Sequence, residues 1–403
     1  MYINTNRLWN HIQELGKIGE AEDGSVTRFP FTQVDHEAEV LILQWMREAG
    51  LQTRVDAVGN IIGYYEGSNP ELTPVVCGSH FDSVKEGGIF DGCLGVLAGI
   101  EVVQTMKEQG IPVKRSCMVV GFRDEEGNRF GYGMVGSKSF CGVMDPEGFQ
   151  SKDRENISLY EAMTMAGFHP DEYENCRQDA YVYYELHIEQ GRLLEDQQVP
   201  VGIVEGIAAL SRYTITFKGE SAHAGATSMK HRNDPVVAMS AWISEITRMA
   251  ESYPDTTATI GEIHTYPGAC NIICDHVTCS LDIRSLKEEV IHLIMKHMAE
   301  FTTNSPVTVE VYKEQELSAC LCDQERINRL YAYSKACGIS VVSIASGAGH
   351  DAMNFKDVCP VSMIFVRSYK GYSHRKEEYS RKEDCALGCE LLYKAICEEI
   401  SGI

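Results

Sequence analysis

Five short segments of the sequence carry the histidines and carboxylates that a pair of metal ions would need. They span residues 78–82, 90–92, 124–127, 185–191 and 371–374, and each contains a glycine. Two cations a few Å apart repel each other unless an anion lies between them, so such a centre needs a bridging carboxylate, outer imidazole or carboxylate ligands and an open position for water. Three histidines, one aspartate and one glutamate meet this need. The segments therefore predict a two-metal hydrolytic centre.

Each of these residues is weak evidence when taken alone. A histidine at a strand end is more often structural or solvated, and adjacent glutamates such as Glu125 and Glu126 are more often a solvated acidic turn. Their joint occurrence, each after a separate buried strand and beside glycine, favours a site. Asp82 lies two residues beyond His80 and is predicted to orient that imidazole by a hydrogen bond.

Alternating strand and helix patterns must position these segments. Strands are predicted at residues 53–58, 61–65, 74–78, 116–122, 181–186, 340–344 and 361–366. Helices are predicted from Thr32 to Gly50, from Leu94 to Gln109 and near residues 383–400, and a capping box joins Ser158 to Glu161. The fold class is therefore α/β, with a metal-binding catalytic domain built on a central mixed sheet flanked by helices. Functional residues of such sheets cluster where strands end.

The middle of the chain has a different rhythm. Residues 212–218 alternate strictly, a helix begins at Asp234 and Pro235, strands follow at 257–264 and 276–284, then a helix at 287–301 and a strand at 307–312. The order β-α-β-β-α-β is that of a ferredoxin-like unit. We therefore predict a discontinuous catalytic domain, 1–210 with 321–403, and an inserted α+β lid or dimerisation domain, 211–320.

Composition limits the possible partners. The chain has 36 basic and 58 acidic residues, a formal charge of −22, which argues against nucleic acid or an anionic membrane. There is no apolar run of about 20 residues and no export leader, so a cytoplasmic enzyme is expected. Fifteen cysteines without zinc-type CxxC pairs are expected to be reduced thiols.

The segments also resemble a known family, the metal-dependent amidohydrolases related to M20 aminoacylases and peptidases, and more closely their amidase/hydantoinase/carbamoylase branch. The resemblance covers essentially the whole chain. The most specific strings are Leu-His-Ile-Glu-Gln-Gly at 186–191 and Asp-Glu-Glu-Gly-Asn-Arg-Phe at 124–130. Further matching strings lie at residues 24–28, 78–83, 91–92, 219–225, 346–351 and 363–366.

The resemblance implies a role for each candidate residue. Asp91 would bridge two divalent metal ions, His80 and His187 would complete one site, and Glu126 and His374 the other. Glu125 would be the general base that takes a proton from the attacking water. Nitrogen and oxygen ligands without thiolate do not fix the metal, so zinc is expected and manganese, cobalt and nickel remain open.

Substrate contacts are expected largely from the inserted domain. Arg284 stands on the polar face of its strand and suits bidentate capture of a substrate carboxylate, although a surface salt bridge with Asp282 is the alternative. The resemblance implies that His223 stabilises the oxyanion and that Asn271 contacts the amide, both in the partner subunit's cleft, so a homodimer is expected. Gln190 and Gly349 are expected to line the same cleft.

Three substrate classes remain open. The first is an N-carbamoyl-L-amino acid, the second is allantoate, and the third is an M20-type peptide or acyl amino acid. The Leu-His-Ile-Glu-Gln-Gly string argues against the third. Against the second, Ser211 stands where the allantoate-type pattern has the first of two consecutive arginines before Tyr213. A metal-free binding or scaffold protein would have lost a ligand or the base, and all six positions are intact.

Overall fold

The computed structural model describes residues 1–301 and 306–401, so small parts of the predicted ranges 211–320 and 321–403 lie outside the described residues. The helices in this part of the chain are α1 Thr5–Gly16, α2 Gln33–Ala49, α3 Cys93–Glu108, α4 Val135–Cys141, α5 Leu159–Met165, α6 Leu193–Asp196, α7 Pro235–Glu251, α8 Glu288–Glu300, α9 Gln324–Cys337 and α10 Lys382–Ser401. The strands are β1 Gln52–Val55, β2 Ile61–Tyr65, β3 Val75–His80, β4 Cys117–Phe122, β5 Val182–Ile188, β6 Val201–Ile207, β7 Ala209–Lys218, β8 Ala222–His223, β9 Thr256–Thr259, β10 Ile263–Tyr266, β11 Ile272–Ile273, β12 His276–Ser285, β13 Thr308–Leu317, β14 Cys320–Leu321, β15 Val341–Ser346 and β16 Val361–Val366.

These elements form two compact units. The first joins Met1–Glu205 to Leu321–Ile403, and the second is Gly206–Cys320. Among the described helices, none is long and apolar enough to span a bilayer. The described cysteines form no disulfide bonds.

A nine-stranded mixed sheet is the centre of the first unit. Its order is β1-β2-β4-β3-β5-β16-β6-β14, with β15 also paired to β6. Four adjacent strands, β4, β3, β5 and β16, run parallel, whereas β1, β2 and β6 pair antiparallel. The predicted central mixed sheet is confirmed. Because the four parallel strands point the same way, the chain segments that leave their carboxyl ends meet at one edge of the sheet.

Helix α3 covers this sheet and is buried on almost every side. Two of its glycines permit the close approach, since a Cβ atom at Gly95 would lie 2.5 Å from the Leu186 carbonyl oxygen and one at Gly99 would lie 2.9 Å from Val119. Helix α2 begins and ends as predicted: the Thr32 hydroxyl accepts the Asp35 N–H, and Gly50 adopts a left-handed φ of 94°. Helix α1 and strand β6 were not predicted from the sequence.

The second unit is a five-stranded antiparallel sheet covered by α7 and α8. Its order is β10-β12-β7-β13, and β9 also pairs with β12. The core between sheet and helices contains Phe217, Trp242 and Ile294. One predicted element is wrong in detail: the single strand 257–264 divides into β9 and β10, because Glu262 turns its N–H to the Ser280 hydroxyl instead of continuing a regular ladder.

Candidate active site

The Asp91 carboxylate is the point at which the predicted ligands meet. Its Oδ1 lies 3.0 Å from Nε2 of His187 and 3.6 Å from Nε2 of His80. Its Oδ2 lies 3.1 Å from Nε2 of His374. One carboxylate therefore faces two imidazoles with one oxygen and a third imidazole with the other, which is the arrangement that a bridging ligand requires.

Two of the imidazoles are held by backbone carbonyls. Nδ1 of His187 lies 3.0 Å from the Ile188 oxygen, and Nδ1 of His80 lies 3.2 Å from the Asp82 oxygen. The Gly92 N–H donates to Nε2 of His187 at 3.2 Å. If each Nδ1 carries the proton, both Nε2 atoms present a lone pair toward Asp91, as a metal-ligating histidine does.

The start of helix α3 fixes the distance between Asp91 and His80. Gly92 has a left-handed φ of 65°, and a Cβ atom there would lie 2.4 Å from the His80 ring. No other residue fits at this position without moving the imidazole. The glycine in the Asp-Gly pair therefore has a steric reason in addition to its conformational one.

Glu126 and His374 lie on the other side of Asp91. Nε2 of His374 is 3.6 Å from Oε2 of Glu126, and Oε1 of Glu126 is buried without a hydrogen-bond partner among the described residues. The His374 side chain is 49% exposed, unlike the deeply buried His80 and His187. This side of the centre is therefore the one that is open to solvent.

Glu125 stands next to this group without belonging to it. Its Oε2 lies 3.8 Å from Nε2 of His80. Burial raises the pKa of Glu125 well above its usual range, and the nearby Asp351 and Glu126 carboxyls add to the shift while His80 opposes it. A raised pKa makes this carboxyl a stronger proton acceptor than an exposed glutamate, which is the property that a general base needs.

The pKa values of the candidate ligands shift in directions that fit a negatively charged Asp91 at the centre. Burial would raise the pKa of Asp91, but the contacts with His187, His374 and His80 hold it well below its usual range. The hydrogen bond between His374 and Asp91 raises the pKa of His374 to about 9. Burial raises the pKa of Glu126 to about 7. Asp91 is therefore the charge around which the others are arranged.

Asp82 acts differently from the prediction. Its backbone oxygen, not its carboxylate, makes the hydrogen bond to His80, because Oδ1 lies farther from that ring at 3.6 Å. The carboxylate instead accepts the backbone N–H groups of Glu125 and Glu126, at 3.2 and 3.3 Å. Asp82 thus holds the turn that carries both glutamates.

The donor set fits divalent cations. Two groups of three, His80–Asp91–His187 and Asp91–Glu126–His374, have ligand atoms within 4.8 Å of one another and share Asp91. The buried, unpartnered Oε1 of Glu126 lacks the compensating charge that a cation would supply. A third group, Glu185–His187–His350, fits less well, because both oxygens of Glu185 already accept hydrogen bonds, from Ser79 and from Tyr183 and the Ala352 N–H.

Comparison with known proteins identifies the family. Residues 73–398 match the model of peptidase family M20/M25/M40. The chain belongs to this family. It is 44% identical over 407 residues to an N-carbamoyl-L-amino acid amidohydrolase of Geobacillus stearothermophilus, covering 99% of this chain and 100% of the relative. It is 33% identical to an allantoate amidohydrolase of Bacillus subtilis, with 96% and 97% of the two chains covered.

Solved structures agree with the sequence relatives. An amidase of the hydantoinase/carbamoylase family from Burkholderia multivorans matches with a TM-score of 0.92 and 31% identity over 99% of this chain and 98% of the other. The predicted resemblance, the α/β fold and the general class, a hydrolase of C–N bonds in a family of divalent-metal enzymes, are confirmed.

Two further residues of this M20 enzyme line the same edge of the sheet. Nε2 of Gln190 donates to Oδ2 of Asp91 at 3.0 Å, and its Oε1 is buried without a partner among the described residues. Gly349 precedes His350, whose ring centroid lies 4.5 Å from that of His187, and the Ser346 hydroxyl lies 2.8 Å from Nε2 of His350.

His223 and Asn271 come together within the second unit. Strands β8 and β11 pair His223 with Ile272, and the Ala224 N–H donates to the Asn271 oxygen at 3.0 Å. Nδ1 of His223 accepts the N–H groups of Gly225 and Ala226, each at 3.1 Å. The proton of a neutral ring is therefore on Nε2, at an exposed position where it can donate to an oxyanion.

Arg284 forms an ion pair with Asp282, the contact that the sequence offered as the alternative to substrate binding. Its Nε and Nη2 donate to the two oxygens of Asp282 at 2.7 and 3.0 Å, and Arg212 donates to the same carboxylate at 3.0 Å. The three side chains share the polar face of the sheet, and the surface ion pair with Asp282 that the sequence offered as an alternative role for Arg284 is present.

Ser211 does not face the substrate side of the sheet, so the prediction that it disfavours allantoate is wrong. Ser211 pairs with the core residue Ile283, is 2% exposed, and therefore faces the side of the sheet opposite to Arg284. A side chain at position 211 cannot stand beside the arginine cluster, because successive residues of a strand point to opposite faces. The choice between carbamoyl amino acids and allantoate must rest on other observations.

Sequence reasoning missed three side chains around the centre. The Ser373 hydroxyl donates to Oδ2 of Asp91 at 2.6 Å. Glu378 is buried and accepts two backbone N–H groups of the Asp91 loop. Glu189, in the middle of the Leu-His-Ile-Glu-Gln-Gly string, binds the N–H groups of Leu193 and Leu194 and thus caps α6 rather than entering the centre. Ser373, next to His374, and Glu189, within that string, had a positional signal.

Proposed function

We propose that this enzyme hydrolyses the ureido C–N bond of N-carbamoyl-L-amino acids and releases the free amino acid, ammonia and carbon dioxide. The observation that carries the proposal is the convergence of four ligand side chains on Asp91, with Glu125 3.8 Å from His80 at their margin. The full-length likeness to N-carbamoyl-L-amino acid amidohydrolases favours this substrate over other amides.

His80, Asp91 and His187 would hold one divalent cation, and Asp91, Glu126 and His374 the second. Cations bound there would polarise the carbonyl group of the substrate and make hydroxide available near neutral pH. Zinc is the expected cation, with manganese, cobalt and nickel as alternatives, because the mixed nitrogen and oxygen ligands do not fix the metal.

Glu125 would move the proton. It takes a proton from the attacking water and returns it to the departing nitrogen, and the raised pKa that burial gives its carboxyl suits the first of these steps. Asp82 keeps this carboxyl in place by binding the backbone on which it stands.

The remaining polar groups would bind the substrate. Arg284 pairs with the carboxylate, Asn271 contacts the amide, and Gln190 and Gly349 line the reacting group. His223 stabilises the oxyanion through Nε2–H, the tautomer favoured by its two backbone donors. We also propose a homodimer in which His223 and Asn271 serve the partner's cleft.

Allantoate is the second candidate substrate, supported by the full-length likeness to the Bacillus subtilis allantoate amidohydrolase. The chain is 33% identical to that allantoate amidohydrolase and 44% identical to the N-carbamoyl-L-amino acid amidohydrolase of Geobacillus stearothermophilus. Allantoate therefore ranks second.

A substrate panel tests the choice. Metal-reconstituted enzyme is assayed for ammonia or amine release from N-carbamoyl-L-amino acids, their D-enantiomers, allantoate, ureidopropionate, N-acetyl amino acids and dipeptides. We expect the largest kcat/KM for an N-carbamoyl-L-amino acid. Faster cleavage of allantoate would move the enzyme to the second candidate, and faster cleavage of dipeptides would contradict both.

A further inference from the structure

A buried carboxylate fastens the loop that carries Asp91. Oε1 of Glu378 accepts the backbone N–H of Phe90 at 2.8 Å and that of Asp91 at 3.0 Å, and the residue is only 5% exposed. The fit is tight, because a Cβ atom at Gly88 would lie 2.4 Å from this side chain. Residues 88–91 therefore pack closely against the Glu378 side chain.

The same carboxylate reaches the segment that carries His374. Oε2 of Glu378 lies 3.4 Å from the Ser373 hydroxyl, which donates in turn to Oδ2 of Asp91 at 2.6 Å. Beside this link, the ring of Phe90 packs edge-on against Tyr379, with centroids 5.9 Å apart. Two loops that are almost 300 residues apart in sequence are thus joined directly behind the candidate centre.

We propose that Glu378 is a positioning residue that sets the spacing of Asp91 and His374, and hence the affinity of the Asp91–Glu126–His374 metal position. The inference rests on the proposed metal centre. Glu378 belongs to neither group of candidate ligands, and its Oε1 is already bound by two N–H donors. It therefore acts through Asp91 and Ser373 and does not touch the cation itself.

This role depends on shape and hydrogen bonding, not on charge. In Glu378→Gln the amide oxygen can still accept both N–H groups, while the NH₂ group can donate to the Ser373 oxygen, whose own proton goes to Asp91. In Glu378→Asp the charge remains, but the side chain is one methylene shorter and cannot reach both loops. A metal ligand or a general base would respond in the opposite way to this pair of substitutions.

Metal binding to the apoprotein tests the inference without an activity assay. Chelator-stripped protein is titrated with Co²⁺, with calorimetry giving the stoichiometry and dissociation constants and the d–d absorption reporting coordination. Wild type should bind two ions. In Glu378→Ala and Glu378→Asp we expect one of the two sites, assigned to Asp91, Glu126 and His374, to lose roughly 10–100-fold in affinity, the usual effect of losing a group that orients a ligand. Glu378→Gln should stay within about 3-fold of wild type.

The neighbouring glutamate provides a matched control. Glu377 is exposed and pairs with Arg375, so Glu377→Gln makes the same chemical change without touching either loop and should bind metal like wild type. Unchanged binding in Glu378→Ala or Glu378→Asp, or a loss in Glu378→Gln as large as in Glu378→Asp, would overturn the positioning role. If Glu378→Ala does not fold, Glu378→Asp carries the comparison. A wild type that binds fewer than two ions would instead overturn the centre itself, and this inference with it.

Discussion

The Asp82 carboxylate accepts the backbone N–H of Glu125 at 3.2 Å, and its second oxygen accepts that of the following residue at 3.3 Å. The backbone oxygen of Asp82 also holds the His80 ring. One buried residue at the end of β3 therefore fixes both a candidate ligand and the turn that carries the candidate base. A carboxylate can do this because it accepts at both oxygens at once.

Asp82→Asn should lower kcat by roughly 10–100-fold, the range typical of lost groups behind a metal centre. The amide can accept only one of the two N–H groups and would place its own donor against the other. We expect this loss in steady-state kinetics of the reconstituted enzyme. Asp196→Asn makes the same change at an exposed site and should be silent. An Asp82→Asn enzyme with wild-type kcat would contradict the role of Asp82.

The fold could largely be predicted because buried parallel strands and capped helices leave strong local patterns. Strand β16 was predicted with its observed bounds, and α2 was predicted from Thr32 to Gly50, the residues that cap its two ends. Helix α1 was missed although it carries local signals, because Asn4 caps its start and Leu8, Ile12 and Leu15 share one buried face.

The candidate ligands could be named from sequence because they lie at or after the carboxyl ends of β3, β4, β5 and β16, in strings that resemble those of the family, whereas the residues behind them could not. Glu377 and Glu378 are adjacent and chemically identical, yet one is exposed and the other is buried against the Asp91 loop. Glu189 stands between His187 and Gln190 but faces a helix end. Such differences depend on which loop packs nearby, and no local pattern encodes that.

Arg284→Lys should raise KM for carboxylate-bearing substrates by about 10-fold or more with a smaller effect on kcat, since an ammonium cannot reproduce the bidentate guanidinium contact. The structure adds that Asp282 is already paired with this arginine. Initial rates over a range of substrate concentrations separate the two constants. Arg248→Lys, on the exposed face of α7, is the matched control. An unchanged KM in Arg284→Lys would leave the surface ion pair as the whole role of Arg284.

His11 should make the stability of the apoprotein depend on pH. Burial, with a smaller contribution from Arg7, lowers the pKa of His11 from 6.5 to about 4. The His11 ring stacks on Trp45 with the ring centroids 4.2 Å apart. As the pH falls from 6.5 to about 4, His11 binds a proton in the unfolded chain before it does so in the folded protein. The free energy of unfolding therefore decreases over this pH range.

Urea unfolding measured across that window checks this expectation. His11→Phe keeps a ring against Trp45 and removes the titration, so its free energy of unfolding should fall less with decreasing pH than that of wild type. His36→Phe, at a side chain that is 59% exposed, should retain the wild-type slope. Parallel curves for wild type and His11→Phe would mean that His11 does not titrate in this way.

The central claim is that Glu125 moves the proton beside a centre of two metal ions, and one paired measurement tests it most directly. Metal content and kcat are determined for wild type, Glu125→Gln and Glu126→Gln after identical reconstitution. We predict two ions per chain in Glu125→Gln with kcat lowered by about 10²–10⁴-fold, the contribution of general acid–base catalysis, and a loss of metal in Glu126→Gln. Near wild-type turnover in a fully loaded Glu125→Gln enzyme would contradict the account.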